Sequence, residues 1–183
     1  MQSRTFTLVI RVEYMKKVIL YIAQSLDGYI ATKDGGVAWL DNYFSDEFKT
    51  EKFIEEIDTV VQGNTTYEQF KSKYPGKDCY VFSKKADTRS EEGVTFVRGR
   101  IVDFIDGLDE NTHKNIWLVG GATLITNFLN ENQINEMRIF VMPILLGDGI
   151  ALFQNIKIVP KLTLQGTKNY SNGVVELRYI VAK

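Results

Sequence analysis

Ile116-Trp117-Leu118-Val119-Gly120-Gly121-Ala122-Thr123-Leu124-Ile125-Thr126-Asn127-Phe128-Leu129 is the stretch from which the rest of the chain can be read. Its first four residues are uninterruptedly apolar, as in a strand covered on both faces of a sheet. Two glycines follow, and Leu124, Ile125, Phe128 and Leu129 then recur at helical spacing to form one apolar stripe. A buried strand that passes through a glycine turn straight into a helix is the repeating unit of a parallel α/β sheet.

The unit recurs upstream. Val18 to Ala23 is continuously apolar and predicts a central strand. Asp58 to Gln62 predicts a second strand, and Gly63-Asn64-Thr65-Thr66-Tyr67-Glu68 opens a helix in which Thr65 and Glu68 have capping-box spacing. Cys79 to Phe82 and Val94 to Val97 predict two more strands, the latter leading to a helix that carries Ile101, Phe104, Ile105 and Leu108. Phe44, Phe48, Ile54 and Ile57 predict one amphipathic helix with Ser45 or Asp46 as its N-cap. Beyond Leu129 the pattern changes. Met137 to Met142 and Leu162 to Gln165 predict strands separated by Pro143 and Gly147-Asp148-Gly149, and Asn172-Gly173 predicts a two-residue type I′ hairpin. The expected fold is therefore α/β, with a mixed, mostly parallel central sheet, helices on both faces and a C-terminal antiparallel hairpin.

A chain of 183 residues fits one domain, expected over residues 15–183 because Met15-Lys16-Lys17 reads as a natural start. Residues 1–14 read as a leader outside that domain, either disordered or added as an edge strand. Twenty-two Lys and Arg against 23 Asp and Glu leave a formal charge of −1, so no positive field attracts a nucleic acid. No apolar run approaches the ~20 residues that span a bilayer. Cys79 is the only cysteine, which excludes an intramolecular disulfide and points to a reducing, cytoplasmic setting. Within Cys79-Tyr80-Val81-Phe82 it reads as a buried, inert thiol. His113 lies in a polar stretch and reads as a solvated loop histidine. One Cys and one His exclude a structural zinc site and a Cys/His nucleophile pair, and no metal is expected.

In a mostly parallel sheet, ligands bind beyond the carboxyl ends of the strands, where loops feed helix N-termini with free amides. Gly63-Asn64-Thr65-Thr66 and Gly120-Gly121-Ala122-Thr123 are two such junctions. Each alone reads equally as a tight turn; together they point to a dinucleotide. Ser83-Lys84-Lys85 offers a hydroxyl and two cations for a third phosphate, such as the 2′-phosphate of NADPH, the alternative being a solvated basic turn. Arg98 and Arg100 are further candidates. Neither a Gly-x-Gly-x-x-Gly fingerprint nor a P-loop is present, so the cofactor mode is a different one.

These residues resemble the reductase-type family that includes dihydrofolate reductase and the C-terminal reductase domain of bacterial riboflavin biosynthesis. The resemblance rests on Ala23-Gln24-Ser25-Leu26-Asp27-Gly28-Tyr29-Ile30-Ala31, Val61 to Glu68, Val119 to Ala122 and Pro143 to Gly149, in order and spacing. It implies NADPH as cofactor, with Ala23 and Ile30 flanking the nicotinamide. Gly63, Thr65 and Thr66 would receive phosphates, Ser83 and Lys84 the adenosine-ribose phosphate, and Gly120, Gly121, Ala122 and Thr123 the pyrophosphate. It implies hydride transfer to a small pyrimidine- or pterin-like heterocycle, with Tyr29 and Trp39 placed at the substrate and Asp27, Asp41 or ordered water as proton source. Trp39 reads equally as a core residue, Asp27 equally as a turn residue, and Asp46 and Glu47 as helix-capping acids.

The chain departs from the family at three places. Asn64 stands where many relatives carry arginine, which removes a partner of the 2′-phosphate. Tyr29 stands where riboflavin-pathway reductases commonly carry lysine, and Thr66 to Phe70 lacks their Asp-Pro segment. These departures motivate a second reading, a dinucleotide-binding or regulatory protein without turnover; a scaffold without a ligand is a third. Relatives pair through C-terminal strands, and Ile139 to Met142 and Ile150 to Phe153 offer apolar surface for a homodimer.

Overall fold

A computed structural model describes residues 16–84 and 90–182. The leader over residues 1–14 and Lys85 of the basic turn lie outside the described residues. Strand β1 (Lys17–Ser25) is central, flanked in parallel by β7 (Asn115–Gly120) and β8 (Glu136–Met142). Beyond β7 follow β3 (Thr59–Gly63), β4 (Asp78–Phe82), β6 (Val94–Val97) and the short antiparallel β5 (Ser90–Glu91). Beyond β8 lie β11 (Val175–Val181) and β10 (Leu162–Asn169), both antiparallel. A separate ribbon pairs β2 (Tyr29–Ala31) with β9 (Ile150–Ala151).

Alternation along the central strand divides the core. Val18 and Leu20 pack on the face covered by α3 (Ile101–Gly107) and α4 (Ala122–Asn130), with Ile125 and Phe128 fully buried. Ile19 packs on the opposite face, against Phe53 of α1 (Thr50–Glu56) and Tyr67 of α2 (Asn64–Phe70). The central strands β1, β7 and β3 are thus buried from both sides, which is why they lack a polar face.

Several local expectations give way to tertiary context. The helix expected across Phe44 to Ile57 is broken into a 3-10 turn at Asp46–Phe48 and the helix α1, because Lys49 between them is left-handed (φ +53°), and a further 3-10 turn at Ala38–Tyr43 precedes it. Ser45 does accept a bond from the Glu47 amide, at 3.2 Å, but it caps the short turn. The capping box does not form: Gly63 takes the N-cap, which places Thr65 inside the helix, and Glu68 pairs with Lys71. The hairpin is not type I′, since Asn172 has no positive φ. Gly173 alone does (φ +84°), its amide bonds to the Tyr170 carbonyl, and the loop has three residues. His113 is buried rather than solvated, its Nδ1 lying 2.7 Å from Thr59 Oγ1. Of the apolar segments expected to support a dimer, Ile139, Phe140, Met142 and Leu152 are core residues, whereas Val141, Ile150 and Ala151 are half-buried and Phe153 is exposed. Cys79 is buried, and burial pushes its thiol pKa up, which agrees with an inert thiol. Among the described residues no helix is long and apolar enough to cross a membrane.

Glu136, on β8, is paired by Lys17 and Arg138. Burial opposes its ionisation, but hydrogen bonds from these two cations and their charges outweigh burial and hold its pKa below the ordinary value. With the folded pKa the lower one, the ionised form adds stability that is complete above the unfolded value of about 4.3 and lost as the pH falls through the folded one. Glu136→Gln is expected to lower stability by about 1–3 kcal/mol at neutral pH. Urea melts should show that difference shrinking below about pH 4; a penalty independent of pH would refute the account.

Candidate functional site

Parallel pairing of β3 with β7, in the register Val61 to Leu118 and Gln62 to Gly120, delivers both glycine turns to one rim of the sheet. They lie side by side. A Cβ added to Gly63 would stand 3.6 Å from the Gly120 carbonyl oxygen and 3.7 Å from the Gly121 nitrogen; one added to Gly121 would stand 3.3 Å from Thr66 Oγ1. Gly120 has φ +129°, a conformation L residues rarely adopt, and the Gly120–Gly121 peptide bond is cis. The two helices that start here, α2 behind Gly63 and α4 behind Gly121, have no side-chain cap. Their first amides are therefore left for an anion.

A cleft of about 1200 Å³ opens over these turns. At one end it is lined by Gly63, Thr65, Thr66, Ser83, Lys84, Gly121, Ala122 and Thr123, with Ala23 and Ile30 further along. Gly120 stands just behind, its carbonyl turned to Gly63. The residues expected to meet a dinucleotide are thus brought together. Arg98 joins them on the cleft wall, whereas Arg100 pairs with Asp103 at 3.8 Å.

The expected substrate group is not assembled in the same way. Asp27, Tyr29, Trp39 and Asp41 do not line the cleft. The Asp27 carboxylate accepts bonds from Ser25 Oγ at 2.5 Å, the Gly147 amide at 2.7 Å and the Leu146 amide at 3.1 Å. The Ser25 bond first, then the amides, hold its pKa below the usual range. Asp27 thereby ties the β1–β2 turn to the loop before β9. The Tyr29 amide donates to Ser25 Oγ at 3.0 Å in the same junction. Trp39 packs against the cluster of Phe140, Met142, Tyr170 and Val174, with its indole N–H buried and unpartnered. Asp41 is exposed on the same turn as Trp39, and Glu47 bonds Ser171.

The far end is instead built from residues that sequence reasoning missed. Tyr21, Val37, Leu40, Phe44, Phe48 and Phe140 supply apolar surface, and Trp117 and Val119 lie on the floor. The Tyr21 hydroxyl stands 3.2 Å from Thr50 Oγ1, and burial raises its pKa. Phe44 and Phe48 carried a signal, but one that reads as a helical stripe. Among the described lining residues the one carboxylate is Glu131, and it accepts from the Ile101 and Val102 amides at 3.3 and 3.1 Å, capping α3. Gln62 also lines the cleft. Its side chain is 1% exposed, its Nε2 donates to the Ser72 carbonyl at 3.2 Å, and its Oε1 has no partner. Leaving a buried acceptor unsatisfied costs about 1–3 kcal/mol.

A mostly parallel sheet in this strand order, closed by an antiparallel hairpin and bearing its cleft over the carboxyl ends of the strands, is the dihydrofolate-reductase-like fold. The dihydrofolate reductase of Enterococcus faecalis, solved with NADP(H), superimposes with a TM-score of 0.68, covering 93% of this chain and 99% of its own at 14% identity. The chain belongs to the RibD C-terminal domain family, whose model matches residues 16–176. It is 39% identical over 173 residues to the uncharacterized protein YwjB of Bacillus subtilis, covering 91% of this chain and 99% of that one. A Shewanella sp. PV-4 structure named for riboflavin biosynthesis superimposes with a TM-score of 0.77 at 30% identity, covering 91% and 99% of the two chains.

Proposed function

We propose that this protein is an NADPH-dependent reductase that passes a hydride to a small heterocyclic substrate of the pyrimidine or pterin kind. The observation that carries the reading is the paired glycine cradle, because the missing Cβ atoms at Gly63 and Gly121 leave backbone amides where phosphates can reach them. That the Enterococcus reductase is solved with NADP(H) supports the same cofactor here. Thr65, Thr66 and Thr123 would hold the pyrophosphate, and Ser83, Lys84 and Arg98 the 2′-phosphate. Bound there, the cofactor supplies the hydride. Ala23 and Ile30 orient the nicotinamide, and the aromatic walls exclude water from the transfer. With Asp27 engaged as a clamp and Asp41 off the cleft, the hydroxyl pair of Tyr21 and Thr50 is the group placed to relay a proton.

The test is titration of NADPH by energy transfer from Trp117, followed by stopped-flow oxidation of the bound cofactor with pterins and pyrimidines. Lys84→Ala and Arg98→Ala are each expected to weaken NADPH about tenfold while leaving NADH affinity within about twofold, because each removes a charge-assisted contact to the phosphate that NADH lacks. Equal losses for both cofactors would remove these residues from the 2′-phosphate site. The lack of a free carboxylate among the described lining residues favours a second reading, a dinucleotide-binding protein without turnover. Saturable NADPH binding without oxidation by any substrate would establish it.

A further inference from the structure

Resting on the dinucleotide reading above, we infer that the far end of the cleft selects an uncharged, planar heterocycle with a ring N–H, carrying no phosphate ester, and that Gln62 Oε1 accepts that N–H.

Polarity along the cleft is divided. Its described cations, Lys84 and Arg98, both stand at the glycine-turn end with Ser83, Thr65 and Thr66. The other end is lined by Leu40, Phe44, Phe48, Tyr21, Val119 and Phe140, with Phe48 packed on Phe140 at a ring-centroid distance of 5.3 Å, and the hydroxyls of Thr50 and Tyr21 are already turned to each other. A phosphate dianion brought against such walls would lose its water and gain no counter-charge. A flat aromatic ring, by contrast, matches these ring-lined walls in polarity and can stack on them or meet them edge-on.

Gln62 supplies the directional element. Residues alternate along β3, so Gln62 shares its face with Val60, which packs in one cluster with Trp117, Tyr21 and Val119. That is the face on which the apolar end lies. The Ser72 carbonyl can only accept, so it fixes the amide group of Gln62 with nitrogen towards Ser72 and oxygen away from it. The oxygen is left buried with no donor, in a residue of the cleft lining. Among the described residues nothing satisfies it, and a ring N–H would. A site built around such a bond rejects the analogue that lacks the N–H.

The experiment uses the full chain saturated with NADP⁺ and three fluorescent ligands: hydroxymethylpterin, its phosphate ester and its ring-N-methylated derivative. Hydroxymethylpterin is expected to bind saturably, and each of the other two about tenfold more weakly or worse. In Gln62→Met the N–H and N-methyl ligands should differ by less than about twofold, a loss of discrimination that a purely structural role of Gln62 would not produce. An equal or tighter Kd for the phosphate ester, indifference to methylation, or no pterin binding by the NADP⁺ complex overturns the inference. Failure of NADP⁺ itself to bind overturns instead the reading on which the inference rests.

Discussion

Gly121→Val is expected to reduce NADPH affinity at least about a hundredfold while leaving the sheet intact. An added Cβ at this position already stands 3.3 Å from Thr66 Oγ1, so the two γ-methyls of valine must occupy the gap between the glycine turns or point out of it, into the space a pyrophosphate needs. A hundredfold loss corresponds to about 2.7 kcal/mol, the size of one or two charge-assisted bonds to a phosphate oxygen. Fluorescence titration measures the affinity and circular dichroism the fold. Retained binding would place the dinucleotide outside this cradle.

A second large effect is expected far from that cradle. At Gly149 a Cβ would fall 2.3 Å from the Ala31 carbonyl oxygen, a separation that cannot persist, and the obstacle is backbone rather than a side chain that can swing aside. Gly149→Ala must therefore push β9 off β2. We expect a loss of about 3 kcal/mol in unfolding free energy. Because Ile30 of β2 and Ile150 of β9 both line the cleft, binding at the nicotinamide end should weaken alongside. Thermal denaturation with and without NADPH measures both. A stability within about 0.5 kcal/mol of the parent would show that the ribbon tolerates the displacement.

These two positions illustrate what was legible in the sequence. The cradle was readable because its elements are local: an apolar strand, a glycine, a hydroxyl-rich helix start, repeated twice. Parallel pairing then had to bring the repeats together, as β3 beside β7 does. Gly149, by contrast, is close to Ala31 only through the path of two loops, and no spacing announces it. The same holds for Asp27, which reads equally as turn residue or acid until the Leu146 and Gly147 amides, well over a hundred residues away in sequence, occupy its carboxylate. His113 reads as solvated because its sequence neighbours are polar, yet Thr59 of β3 meets it in the buried loop before β7. Tyr21 and Phe140 were hidden for the opposite reason: on fully buried strands every residue is apolar, so the pattern does not tell which side chains reach a cavity. Thr65 and Glu68 show that even a correct local motif yields when a neighbour, here Gly63, takes the N-cap.

The placement of β1 bears on how the chain is made. Its partners on either side are Asn115–Gly120 and Glu136–Met142, and its Val18 amide waits for Asn135. During synthesis this strand leaves the ribosome long before either neighbour exists, and it carries Val18, Ile19, Leu20 and Ile22 unprotected until about two thirds of the chain has followed. Nascent chains stopped short of β7 should consequently be protease-sensitive and held by chaperones, whereas chains extended past β8 should acquire resistance in a single step.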